Sequence, residues 1–248
     1  LSVSSWGEGG KTAVRDKARQ IVLILGLVLV LVGAGVLLYP RFTAFRYAQE
    51  VSRQKESFLE QVAPEEAQEP DPRLEELYEK LAEENQRLYE EHQPQLVDPF
   101  SYEQPAIDLS EYGLEDGVIG YLTIDKMGIE LPIYLGANPR NMTLGAAHMT
   151  NTSYPIGGEN TNCVLAGHRG YFQAPMFRNI QKLELGDVVQ VQNFRETLQY
   201  EVSEIQVVNP DEVECLSIRS GEDLLTLITC HPYPTNTYRY VVICTRIV

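Results

Sequence analysis

The run Leu224-Leu225-Thr226-Leu227-Ile228 is apolar enough to read as a buried strand, and Cys230 stands where that strand stops. Pro232 and Pro234 cannot continue a ladder. A short turn of Pro234, Thr235 and Asn236 leads to a second run, Tyr238 to Thr245, which carries Arg239 near its start. A thiol ending one strand and a guanidinium opening the next can face one groove, where the fixed positive charge favours the nucleophilic thiolate. Such a thiol needs a proton acceptor, and the chain has four histidines. His168 ends another apolar strand-like run within Val164-Leu165-Ala166-Gly167-His168-Arg169-Gly170. It can take the proton and return it to a leaving amine. Arg239 stays protonated and cannot be a base; it suits an oxyanion, helped by a backbone N–H or Thr229. His231 directly follows the cysteine and points to the opposite strand face. His92 reads as solvent-exposed and His148 as structural or groove-lining. A lone cysteine at a strand end is usually packing; the combination argues for catalysis.

With these pieces in hand, the sequence resembles the sortases, cysteine transpeptidases of Gram-positive cell surfaces. The family's Thr-Leu-x-Thr-Cys motif is matched by Thr226-Leu227-Ile228-Thr229-Cys230, its Gly-His motif by Gly167-His168, and its trailing arginine by Arg239. The resemblance covers Val118 to Val248. It implies a mainly β fold, an eight-stranded sortase-like barrel preceded by N-terminal helices and one transmembrane helix. It implies Cys230, His168 and Arg239 as catalytic residues, with Thr229 in support. The implied substrate is an LPXTG-like sorting signal, cut between Thr and Gly through a thioester that an amine resolves. The implied partners are sorting-signal proteins, pilins or surface proteins, and an acceptor amine from a pilin lysine or a cell-wall precursor. No cofactor is implied, and no Cys/His spacing suggests a metal.

Val97-Asp98-Pro99-Phe100 resembles the lid of class C sortases, the pilin polymerases. There the acid pairs with the catalytic arginine and the aromatic ring covers the thiol, which makes Asp98 and Phe100 lid candidates. An ordinary Asp-Pro turn has the same residues. Two features depart from that class: its members commonly carry a second span after the barrel, and Thr-Pro-Tyr-Gly often stands where this chain has His231-Pro232-Tyr233-Pro234. A housekeeping sortase anchoring proteins to the wall, or a secreted cysteine hydrolase using water, would employ the same three residues. A non-enzymatic tethered scaffold would not need Cys230.

The elements that must position these residues follow from patterning. From Val118 onward, seven apolar or alternating runs (118–124, 129–135, 161–167, 187–193, 197–208, 224–230 and 238–246) argue for a barrel or sandwich. Asn141 to His148 and Ala174 to Gln181 read as short connecting helices or turns. Ile21 to Leu38 is uncharged and long enough to cross a bilayer core, and no small-x-small cleavage site closes it. Lys11, Arg15, Lys17 and Arg19 precede the span, so the positive-inside rule places the N-terminus in the cytoplasm and the catalytic candidates outside. The expected organisation is a disordered cytoplasmic tail (1–20), a transmembrane helix (21–39), a helical segment (43–92), a lid loop and linker (93–116) and a catalytic barrel (117–248). Within the helical segment, one helix is expected from Thr43 to Gln61. A second is capped by Asp71 with Pro72 in its first turn, and Leu74, Leu77, Tyr78, Leu81, Leu88 and Tyr89 form one apolar stripe. Such a stripe packs on its own domain or, less commonly, on a partner helix.

The net charge of −15 argues against a nucleic-acid surface. Much of it lies between Glu65 and Glu91, where eleven acidic residues oppose three basic ones, the pattern of a solvated helix face or an acidic docking surface. If Cys230 is a free nucleophile, Cys163, Cys215 and Cys244 form an odd set. Cys163 and Cys244 lie within strand patterns and read as small buried side chains.

Overall fold

The computed structural model describes residues 9–63, 71–93, 96, 98, 107–114, 116–171 and 174–247. It divides into two compact units, residues 1–45 and 46–248. Helix α1 runs from Gly9 to Val62 and includes one stretch long and apolar enough to cross a membrane. This differs from expectation at two places: residues 9–20, read as disordered, are helical, and Pro40 lies inside the helix rather than ending it. A proline removes one helical hydrogen bond and leaves the rest of the ladder intact. One turn on, the Thr43 hydroxyl donates to the Pro40 carbonyl at 3.0 Å. Helix α2, Pro72–Glu90, forms as its sequence dictates, with the Asp71 carboxylate accepting from the Arg73 N–H at 2.9 Å.

The second unit is a closed barrel of β1 (Val118–Ile124), β2 (Ile129–Leu135), β3 (Ala146–His148), β4 (Thr161–Ala166), β5 (Val188–Asn193), β6 (Thr197–Val208), β7 (Asp223–His231) and β8 (Tyr238–Arg246). Their order around the barrel is β1-β2-β3-β4-β7-β8-β6-β5, closed by antiparallel β1–β5 pairing. Seven of the eight strands coincide with the runs read from sequence. The eighth, β3, follows a short helix α3 (Pro139–Leu144) within a segment expected to be a helix or turn.

The apolar runs of β4, β7 and β8 are continuous because both faces are covered. Leu165, Leu225, Leu227 and Val242 join one buried cluster. Val164, Ala166, Leu224, Ile228, Val241 and Ile243 join another, which includes Met142 of α3 and Leu216. The α2 stripe packs on its own domain: Leu77 and Leu81 are fully buried in the first cluster, beside Val51 and Phe58 from the end of α1. Phe58 meets Tyr121 of β1 edge-on at 5.4 Å.

Candidate active site

Two pairings build the site. In the antiparallel β7–β8 pair Cys230 stands directly opposite Arg239. Opposed residues share a face, with Cβ atoms about 5 Å apart. In the parallel β4–β7 pair the last register partners are Ala166 and Ile228, and the Gly167 N–H then donates to the Ile228 carbonyl at 3.2 Å. One step on, the Thr229 hydroxyl donates to the Gly167 carbonyl at 2.6 Å. Gly167 also admits the Phe177 ring, which a Cβ would meet at 2.8 Å. His168 is half-buried, stacks on Tyr171 at 5.9 Å and accepts the Phe177 N–H at its carbonyl.

Arg239 is buried and held on two sides. Its Nε and Nη2 donate to the two carboxylate oxygens of Asp98 at 2.8 and 2.6 Å, and its Nη1 to the carbonyls of Asn236 and Tyr238 at 3.1 Å each. The acid of the Asp-Pro-aromatic motif therefore meets the arginine. Phe100, like Val97 and Pro99, lies outside the described residues.

Burial pushes the Cys230 thiol up, Arg239 pulls it down, and Asp98 pushes it up again. Burial pulls the His168 imidazole down. Both shifts favour the neutral thiol and the neutral imidazole. With Asp98 in place, Arg239 is occupied by a carboxylate rather than by the oxygen of a reacting carbonyl.

The other candidates sort by their contacts. Thr229 is fully buried and its hydroxyl is engaged with Gly167, so its side chain ties strands together instead of facing an oxyanion. His148 is buried, stacks on Tyr154 at 4.9 Å, and places Nε2 at 3.2 and 3.1 Å from the carbonyls of Thr152 and Ser153. Burial brings its pKa down to about 4, which suits a structural neutral ring. His92 is exposed, just past the end of α2. All four cysteines are free thiols, with Cys163 and Cys244 buried as expected. Sequence reading overlooked Arg169. Its Nη1 lies against the Nδ1 of His231 and 3.5 Å from the Cys230 carbonyl, and its guanidinium sits 5.9 Å from the centre of the Tyr240 ring. The residue stands in the Gly-His-Arg-Gly motif, but only the strand register reveals its partner.

A family profile described as Sortase domain matches residues 122–247, half of the chain. The chain belongs to the sortase family. Sortases are cysteine transpeptidases that act on sorting-signal proteins and amine acceptors. Sortase A of Bacillus anthracis is 32% identical over 158 residues, covering 62% of this sortase and 72% of that protein. Similar solved structures include class C sortases. Streptococcus agalactiae sortase C1 has a TM-score of 0.69 at 30% identity, over 79% of this chain and 95% of that one. Streptococcus pneumoniae sortase C has a TM-score of 0.63 at 30% identity, over 78% and 95%.

Proposed function

We propose that this sortase is a membrane-anchored, extracytoplasmic pilin polymerase with Cys230 as nucleophile, His168 as general acid and base, and Arg239 as oxyanion donor. The observation carrying this reading is the cross-strand pair Cys230–Arg239, with His168 following β4, the strand that neighbours β7. His168 takes the thiol proton as sulfur attacks the Thr carbonyl of an LPXTG-like signal. The guanidinium, released by Asp98, holds the oxyanion. The C–N bond to Gly breaks, the amine departs with the proton from His168, and a Cys230 thioester remains. An acceptor lysine of another pilin then attacks, forming an isopeptide bond and restoring the thiol. Residues 21–39 serve as the membrane anchor, 93–116 as lid and linker, and 117–248 as the catalytic domain.

The Asp98–Arg239 ion pair supports the class C reading. The likeness to proteins named sortase A favours a second reading, transfer to a cell-wall precursor amine. One experiment tests both and separates them from a hydrolase. The chain is incubated with a sorting-signal peptide and either a pilin lysine peptide or a wall-precursor amine, and products are identified by mass spectrometry. Isopeptide product with the lysine, absent in Cys230→Ala, is expected. Transfer only to the precursor would establish the anchoring function, and free acid alone would establish a hydrolase.

A further inference from the structure

The β4–β7 register ends formally at Ala166–Ile228, yet the same spacing of 62 residues continues in side-chain contacts beyond it. Thr229 binds Gly167 one step on, and Arg169 binds His231 three steps on. In sequence, His168 and Cys230 lie between those two ties. Alternation along β7 puts Cys230 on one face and His231, with its Arg169 partner, on the other. The tie to Arg169 is built from several sides. Its Nη1 approaches the His231 Nδ1 and the carbonyl of Cys230 itself, while its Nη2 donates to Gln181 Oε1. Tyr240, opposite Thr229 on β8, lies 5.5 Å from the His231 ring and under the Arg169 guanidinium. A guanidinium only donates, so the facing His231 Nδ1 must carry its lone pair. Next in the chain, Gly170 lies against the ring of the exposed Tyr233.

We infer that Arg169 and His231 form a clamp that holds His168 level with Cys230, acting as positioning residues for the transpeptidation reaction. The inference rests on the reading of Cys230 and His168 as the reacting pair. Past Ala166 the segment carrying His168 leaves the ladder, and a proton transfer between side chains tolerates little displacement. A misplacement of about 1 Å costs roughly 100-fold in rate. The clamp touches the backbone of the nucleophile and the far face of its strand, so its loss shifts the pair without removing a substrate contact.

The test measures transfer from a Leu-Pro-x-Thr-Gly peptide to an amine, with the rate of Cys230 alkylation by iodoacetamide as a readout free of substrate. Arg169→Ala and His231→Ala should each lower kcat about 10- to 100-fold with KM held within about two-fold. Both should slow alkylation, and the double variant should be little worse than either single one, as residues acting through one contact are not additive. His231→Gln, whose side-chain oxygen accepts the same hydrogen bond, should recover most of the rate. Rates within about two-fold of the parent in Arg169→Ala, multiplied losses in the double variant, or failure of His231→Gln to recover would each overturn the clamp. Cys230→Ala separates the two levels: an active Cys230→Ala sinks the catalytic assignment, whereas an inactive one beside an unaffected Arg169→Ala sinks the clamp alone.

Discussion

At the scale of single residues, Asp98 adds to burial in raising the Cys230 thiol, against the lowering by the Arg239 guanidinium that it engages. Replacing Asp98 with Ala removes a raising influence and leaves a lowering one, so the thiol should titrate at lower pH. At a pH well below the midpoint, the thiolate fraction rises about tenfold each time the midpoint falls by one pH unit. Alkylation of Cys230 by iodoacetamide, followed by mass spectrometry across pH, should show a midpoint displaced downward and a faster rate at neutral pH. Asp98→Ala combined with Phe100→Ala should be at least as fast. An unmoved midpoint would mean that Asp98 does not govern the thiol. The adduct should sit on Cys230: Cys163 and Cys244 are buried, and burial pushes the Cys244 thiol up to about 12. An adduct concentrated on Cys163, Cys215 or Cys244 would remove Cys230 as the reactive thiol. The meeting of Cys230 with Arg239 was legible in the sequence because each lies at the boundary of an apolar run. The engagement of the Thr229 hydroxyl and the partnership of Arg169 with His231 were not, since both depend on which strands are neighbours.

At the scale of elements, α2 is part of the folded catalytic unit. Asn85 accepts the Tyr154 N–H at 2.7 Å and donates to the Tyr154 carbonyl at 3.4 Å, pinning the helix to the loop between β3 and β4. The Tyr89 hydroxyl pairs with that of Ser220 in the loop before β7, and Gln93 bridges the Asn151 carbonyl and the Ile218 N–H. Asn85→Ala leaves both Tyr154 backbone groups without this partner and should cost about 1–3 kcal/mol. Leu81→Ala opens a cavity in the main core and should cost about 2–5 kcal/mol. Urea denaturation measures both; a loss below about 0.5 kcal/mol for each would show that α2 contributes little to this domain. The helix was readable from its cap and stripe, and seven strands from their apolar runs. Strand β3 was not: its three residues are too few to display a period, and its parallel pairing with β2 is non-local. The continuity of α1 through Pro40 was not legible either, because local propensity weighs a proline more heavily than a helix with intact turns on both sides does.

At the scale of the whole molecule, the barrel sets Cys230 of β7 opposite Arg239 of β8 and ties Gly167, just past β4, to Thr229 of β7. The orientation of the proposed anchor follows from charge. Lys11, Arg15, Lys17 and Arg19 flank the apolar stretch on its N-terminal side, opposed nearby by Asp16, and such a flank is retained in the cytoplasm. All four cysteines follow the stretch, which makes thiols reporters of topology. Cys215 is partly exposed and lies outside the catalytic cluster. In a Cys230→Ala chain, a membrane-impermeant maleimide added to intact cells should label Cys215. A cysteine introduced as Ser2→Cys should remain unlabelled until the membrane is opened. External protease should likewise digest the region after Tyr39 in protoplasts. Labelling of the Ser2→Cys position from outside, together with protection of Cys215, would reverse the orientation and place the thiol away from any extracytoplasmic substrate.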